Sequence, residues 1–328
     1  MKKLLVRWLA VLIGTMLIPL CMKNAIPRDR VAAEPQTPTD APEQAAEPPE
    51  DASADTVRLL LADRQETVEM PLRDYVAGVT AAEMPVSFDR QALCAQALAS
   101  LTYTLYQQAH PKQALSGGAQ LSDDPASYQA FWPVEEMRER WGEDFEDNYA
   151  KICSAVDEVI GFEITYEEEP VAAAFHAISP GKTESAENVW GAEIPYLVSV
   201  ESEGDSVSPK YSSTKTVNVR EFAAKLGLET DDSPEDWFGE TDYSDAGTLL
   251  TIEIAGQTFT GQAIRAAFEL PSAAFTLSCD GETVTFDVKG YGHGVGLSQY
   301  GADYYARQGM TWREIIEHYY PGTEIRER

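Results

Sequence analysis

The sequence predicts an α+β fold: a mixed α/β, two-lobed domain behind one N-terminal transmembrane helix. Three observations predict it. Helical and strand-like periodicities are mixed without strict β-α-β alternation, the pattern of α+β or mixed-sheet proteins. The chain has 328 residues, 44% of them hydrophobic, enough to bury a core in one or two lobes. Its start is basic and then apolar.

Residues 1–25 are read as a cytoplasmic stub and membrane anchor. Met1-Lys-Lys-Leu-Leu-Val-Arg7 precedes an apolar run from Trp8 to Met22. The basic flank predicts that the N-terminus stays in the cytoplasm. The uncharged run, about 15 residues, is short for a span unless Leu4–Val6 contribute and Arg7 snorkels. A cleaved signal peptide is the competing reading, but no Ala-x-Ala-like site follows, so an uncleaved anchor is expected. Cys21 is taken as part of it. Residues 26–53 are rich in Pro, Ala, Glu, Asp and Thr with no apolar period, which reads as an extended linker. Residues 54–328 then form the extracytoplasmic domain.

Within it, Thr56–Leu61 has the pattern of a strand. Pro71 opens a helix whose stripe is Leu72, Tyr75, Val76 and Val79, and four residues further the stripe reaches Glu83. A second helix is expected over Asp89–Gln107 with Ser87 as N-cap. Tyr149–Ile160, Arg220–Leu226 and Gln262–Phe268 read as helical. Strands are expected at Phe162–Tyr166, Val171–Phe175, Val198–Val200, Thr214–Val219, Leu249–Ile254 and Thr283–Val288. Thr311-Trp-Arg-Glu314 is a capping box, and Trp312, Ile315, Ile316 and Tyr319 give its helix one apolar face before Pro321-Gly322.

Composition excludes some functions. The net charge of −29 disfavours a nucleic-acid partner, which would need clustered Lys and Arg. The four cysteines form no C-x-x-C pair and there is no H-E-x-x-H, so neither a zinc-site nor a zincin signature exists. No metal and no cofactor are expected. The acidic runs Glu143–Asp147 and Glu167–Glu169 read as solvated surface.

Glu83 is the candidate catalytic residue. It continues an apolar stripe, which desolvates it, and occupies the last helical turn because Pro85 disfavours helical geometry at Met84. Burial and the negative end of the helix dipole both raise a carboxyl pKa. A carboxylic acid that stays protonated near neutral pH is what general-acid cleavage of a glycosidic bond needs. Read on local pattern alone, Glu83 turning outward to solvent is the alternative.

Two long motifs accompany it. One is Phe175-His-Ala-Ile-Ser-Pro-Gly-Lys-Thr-Glu-Ser185, followed by Val189-Trp-Gly191 and Pro195-Tyr-Leu197. The other is Tyr291-Gly-His-Gly-Val-Gly-Leu-Ser-Gln-Tyr-Gly-Ala302, followed by His318-Tyr-Tyr-Pro-Gly322. Together with Tyr75-Val-Ala-Gly-Val-Thr-Ala-Ala-Glu-Met-Pro85, Ala92-Leu-Cys-Ala-Gln-Ala97 and Thr102-Tyr103, they resemble the stage II sporulation protein D family, which also includes the amidase enhancer. The resemblance covers nearly everything after the linker.

The resemblance implies a peptidoglycan lytic transglycosylase in which Glu83 protonates the oxygen between N-acetylmuramic acid and N-acetylglucosamine. The sugar's own 6-hydroxyl then closes a 1,6-anhydro ring, unlike the two-carboxylate scheme of ordinary glycosidases. It implies glycan strands lacking stem peptides as substrate, and a role in engulfment during sporulation. The partners implied are a peptidoglycan amidase or endopeptidase of the engulfment machinery and its membrane scaffold. The domain would then face the space between mother-cell and forespore membranes. Candidate substrate-binding residues on the matching positions are Gln96, Tyr103, Gln129, His176, Ser179, Gly181, Thr183, Tyr196, His293, Gly294, Ser298 and Gln299. Each has a plainer reading: His293 as a packing histidine, Ser298 as a helix cap, Tyr196 as core, and the Ser179–Thr183 stretch as a polar turn. The family usually carries lysine at the position of Cys94 and arginine at that of Leu101, seven residues apart and so on one helix face. If that face borders Glu83, their loss removes a grip on anionic substrate and raises the Glu83 pKa further. Some relatives resemble zinc proteins, but Ser122-Asp-Asp-Pro-Ala-Ser-Tyr-Gln129 holds no Cys or His. A non-catalytic glycan-binding module that recruits and stimulates an amidase is the alternative function.

Overall fold

The computed structural model describes residues 55–328 except 112–113, 125–126 and 231. The expected anchor (1–25) and linker (26–53) lie outside the described residues, among which no helix is long and apolar enough to cross a membrane.

The architecture is mixed α and β, with several small sheets and two hydrophobic cores. The larger core packs Tyr75, Leu98, Ile152, Ile164, Phe175, Leu297 and Ile316. Its scaffold is the 20-residue helix Arg90–Ala109, which touches the helices Leu72–Glu83, Phe145–Val159, Gln299–Arg307 and Trp312–Tyr319. The smaller core packs Phe222, Trp237, Ile252, Phe268 and Phe286 between two three-stranded antiparallel sheets and the helices Val219–Leu226 and Gly261–Phe268.

The first sheet is a hairpin of Thr56–Leu61 and Glu66–Pro71 with Leu121–Ser122 added in parallel. A short parallel pair joins Phe175–His176 to Leu297–Ser298 in the register Phe175↔Leu297 and His176↔Ser298. This pair aligns the two long motifs. Ile178 and Tyr291 exchange backbone hydrogen bonds of 3.0 and 2.7 Å, and Glu184 N–H donates to the Gly294 carbonyl at 2.7 Å. Gly296, at φ +73°, lies so close that an added Cβ would strike the Ala174 carbonyl oxygen, so a side chain there would pry the motifs apart.

Several expectations are corrected. The long helix is capped by Asp89, whose side chain accepts from Gln91 N–H at 2.8 Å, and not by Ser87. Pro71 precedes its helix and does not begin it. Of the expected Val171–Phe175 segment only Phe175 is strand, in the short strand Phe175–His176, and Val198–Val200 is not strand. Both stretches are satisfied by turn and side-chain hydrogen bonds, such as Tyr196 OH accepting from Ala172 N–H and Thr183 Oγ1 accepting from Val200 N–H, so the β pattern found no ladder partner. The capping box at Thr311 and Glu314 forms as expected.

Candidate active site

Glu83 is the last residue of its helix, and Met84 leaves in extended geometry at φ −124° and ψ 135°. The proline at 85 enforces this turn-off and points the carboxyl into the protein, where the residue is 8% exposed. Oε1 accepts from Ala130 N–H at 2.8 Å. Oε2 is buried and has no hydrogen-bond partner. Burial pushes the carboxyl up from 4.5 to about 7, opposed by the Ala130 N–H and by the Gln299 side-chain amide. A carboxyl raised this far holds its proton closer to neutral pH than an exposed one and becomes a base once the proton leaves.

A shell of amides and phenols surrounds this carboxyl. Gln299 Nε2 donates to Gln96 Oε1 at 3.3 Å, and Gln96 Nε2 donates to Ser100 Oγ at 3.0 Å. Gln129 Nε2 donates to the Ser100 carbonyl at 3.3 Å and to Thr104 Oγ1 at 3.1 Å. Tyr75 is fully buried beneath Phe131, ring centroids 5.6 Å apart, and burial pushes its phenol up, with Tyr103 and the Glu83 charge acting in the same direction. The structure therefore sets Gln299 against Glu83 and Gln96 against Gln299, with Gln129 next in the chain to Ala130 and Tyr103 acting on Tyr75. It adds two groups that the sequence reading lacked, the Ala130 N–H and Tyr75. A backbone donor leaves no trace in sequence, and Tyr75 reads as an ordinary stripe residue.

The remaining candidates form a second cluster along the joined motifs. His176 Nδ1 lies 3.2 Å from the Val295 carbonyl, which can only accept, so Nδ1 carries the proton and Nε2 is a buried, unpartnered acceptor. His293 Nδ1 accepts from Val295 N–H at 3.0 Å, which puts its proton on Nε2. The two rings are 5.8 Å apart, and Trp190 lies 5.4 Å from His293. Burial pushes His176 down to about 4. It pushes His293 well below the usual range too, with His176 and Arg265 contributing. Both imidazoles are thus neutral and serve as hydrogen-bonding groups, not proton donors.

Ser179 and Ser298 donate to the two oxygens of the buried Asp205 at 2.6 and 2.5 Å. Ser298 Oγ also accepts from Gly301 N–H at 3.4 Å, capping the helix Gln299–Arg307. Gly181 N–H donates to Ser179 Oγ at 3.1 Å. Thr183 Oγ1 donates to the Val198 carbonyl at 3.3 Å. Tyr196 packs on Tyr166, and Gly294, at φ +83°, lies against Glu184. These side chains lock the two motifs to each other. Because Ser298 begins the helix whose first residue is Gln299, that lock also fixes Gln299 against Glu83.

Cys94 and Leu101 are fully buried. At about 100° per residue, the face of Cys94, Leu98 and Leu101 lies opposite that of Gln96, Ser100 and Tyr103. The charged neighbours of the Cys94 thiol, which burial pushes up to about 12, are Glu158, Arg90 and Asp89. The face without cations therefore does not border Glu83, and the expected effect of their loss on its pKa does not arise here. Among the described residues no group of three or more His, Cys, Asp or Glu side chains could hold a metal ion. Cavities of about 810, 590 and 280 Å³ lie elsewhere, and Glu83 lines none of them.

Comparison with known proteins fits this layout. The profile of a family described as Stage II sporulation protein matches residues 62–166, the stretch that holds Glu83, Gln96 and Gln129 but not Gln299. Stage II sporulation protein D of Bacillus amyloliquefaciens is 39% identical over 283 residues, 86% of this chain and 82% of that protein. The protein of the same name from Bacillus subtilis strain 168 is 39% identical over 264 residues, 80% and 76% of the two chains. The amidase enhancer of Bacillus subtilis strain 168 is 25% identical over 304 residues, 76% of this chain and 40% of that protein.

Proposed function

Because the chain belongs to the stage II sporulation protein D family, we propose that it is a lytic transglycosylase of the sporulation cell wall, with Glu83 as its acid and base. Protonated Glu83 gives its proton to the glycosidic oxygen as the bond from the muramic acid C1 breaks. The resulting carboxylate takes the proton of the same sugar's 6-hydroxyl, whose oxygen bonds to C1. A 1,6-anhydro end forms, the acid is regenerated and no water enters. One carboxyl with a pKa near the working pH suffices for both transfers. The observation that carries this reading is the carboxyl itself: buried, anchored through one oxygen and unpartnered at the other.

Oε2 is buried in this structure, so glycan reaches it only after a local rearrangement. The substrate on this reading is a strand already freed of stem peptides by a partner amidase, met outside the membrane during engulfment. The likeness to an amidase enhancer and the covered Oε2 favour a second reading, a module that binds glycan and stimulates an amidase without cutting.

Peptide-free strands incubated with wild type and Glu83→Gln separate the two. Anhydro-muramic ends from wild type alone support the enzyme, and equal yields from both proteins sink the role of Glu83. No ends from either, with amidase stimulation kept by the variant, support the module.

A further inference from the structure

The sheet of Ser212–Asn218, Thr283–Lys289 and Phe275–Cys279 turns one face to the smaller core, through Val217, Val284, Phe286, Val288, Phe275 and Leu277. Side chains alternate along a strand, so the register also sets the other face. There Thr214, Asp287 and Thr276 form one row across the three strands, and Ser212 and Lys289 lie in the next. All five are exposed. Thr216, Thr285 and Ser278 continue the face in the other direction. Such a face is ordinarily bare, solvated surface. At the Lys289 end it is walled. The cavity of about 590 Å³ lies there, and besides the sheet it is lined by Pro180, Tyr243, Ala246 and Gly247.

Both walls are held in place. On one edge strand, Tyr243 Oη donates to the Phe275 carbonyl at 3.2 Å, yet the residue stays 38% exposed. Beside the other edge strand, Tyr211 Oη donates to the Pro180 carbonyl at 2.8 Å, and Gly290 N–H donates to the Tyr211 carbonyl at 2.8 Å. Ser244 Oγ donates to Glu184 Oε2 at 2.5 Å, which ties the Tyr243 side to the first long motif. The cavity therefore presents an anchored aromatic ring, hydroxyls and two opposite charges. Thr214 Oγ1 donates to Asp287 Oδ1 at 2.8 Å, which orients that carboxylate and leaves Oδ2 to a ligand. An ammonium beside a carboxylate suits neither a strong anion nor a strong cation. It suits a neutral ligand rich in donors and acceptors, and the ring offers that ligand an apolar surface. A sugar has both properties. The volume is that of a small-ligand site.

We propose that this cavity is a second glycan-binding site, separate from Glu83. It takes an N-acetylated sugar unit, with Tyr243 as stacking platform and Asp287 and Lys289 as hydrogen-bonding partners. It grips a strand without cutting it. The choice of glycan as ligand rests on the glycan reading of the Glu83 site, but the cavity has no part in cleavage.

The test measures binding by the full chain carrying Glu83→Gln, so that no strand is cut. The probe is a soluble peptide-free glycan oligomer, titrated by calorimetry. Adding Tyr243→Ala weakens binding about tenfold, and adding Asp287→Ala about fivefold. Tyr243→Phe keeps the ring and stays within about twofold of the parent. Ser278→Ala, on the same sheet face but outside the cavity, leaves binding unchanged. Unchanged binding in both Tyr243→Ala and Asp287→Ala overturns the proposal, as does an equal loss in Ser278→Ala. Tyr243-dependent binding of a free stem peptide in place of the glycan also overturns it. Binding that depends on the cavity, with no anhydro ends from the chain with Glu83 intact, refutes the lytic reading and leaves this site standing. Anhydro ends, with binding unmoved by the cavity variants, do the reverse.

Discussion

Replacing Glu83 by Gln should change how stability depends on pH. The carboxyl ionises near 4.5 when exposed and near 7 when folded. At pH 4 it is protonated in both states and adds no pH-dependent penalty. Between 4.5 and 7 the unfolded chain releases the proton while the folded chain keeps it, so stability falls as pH rises. Above 7 the loss is complete. At about 1.4 kcal/mol per pKa unit, it reaches about 3 kcal/mol. Gln has nearly the same shape and can still accept from Ala130 N–H, but it does not titrate. Any fixed packing difference between the two proteins is constant with pH and leaves the slope intact. Urea melts of both proteins at half-unit intervals from pH 4 to 8 give the difference directly. The variant should gain about 3 kcal/mol on wild type across that range. A difference that stays flat within about 0.5 kcal/mol would mean an unperturbed carboxyl and would refute the argument that this site stores a proton.

Two further substitutions probe what holds Glu83 in place. Asp205→Ala leaves the Ser179 and Ser298 hydroxyls without their acceptor and should destabilise by about 2–4 kcal/mol in denaturant melts, with anhydro-end formation falling because Gln299 is no longer fixed. Gly78→Ala would press a methyl group onto the Phe131 ring and within 2.8 Å of the Trp132 carbonyl oxygen. It should destabilise by about 1–3 kcal/mol and displace the Ala130 N–H, so the titration midpoint of Glu83, followed by the same pH-dependent melts, should rise above that of wild type.

Local chemistry was legible in the sequence where one segment determines it. The position of Glu83 at a helix end follows from a helical stripe and a proline two residues on, while its inward turn is settled only by packing, and the capping box at Thr311 follows from four consecutive residues. Features made by distant segments were not legible. Ser87 and Asp89 are both good caps, and Asp89 takes the role because its own N–H is held by Asp303, 214 residues away, at 2.6 Å. The seam of Ser179, Asp205 and Ser298 depends on chain positions up to 119 apart, so each serine alone reads as a turn or a cap. Cys94 and Leu101 were recognisable as sharing a face, but only packing shows that this face meets the helix Phe145–Val159 side of the core and not Glu83.

The central claim is that Glu83 drives an intramolecular cleavage, and one measurement tests it most directly. Peptide-free glycan is digested in ¹⁸O-labelled water by wild type and by Glu83→Gln, and the new ends are weighed by mass spectrometry. The account predicts unlabelled 1,6-anhydro-muramic ends from wild type and no new ends from the variant. Labelled reducing ends from wild type, or equal yields from the two proteins, would contradict it.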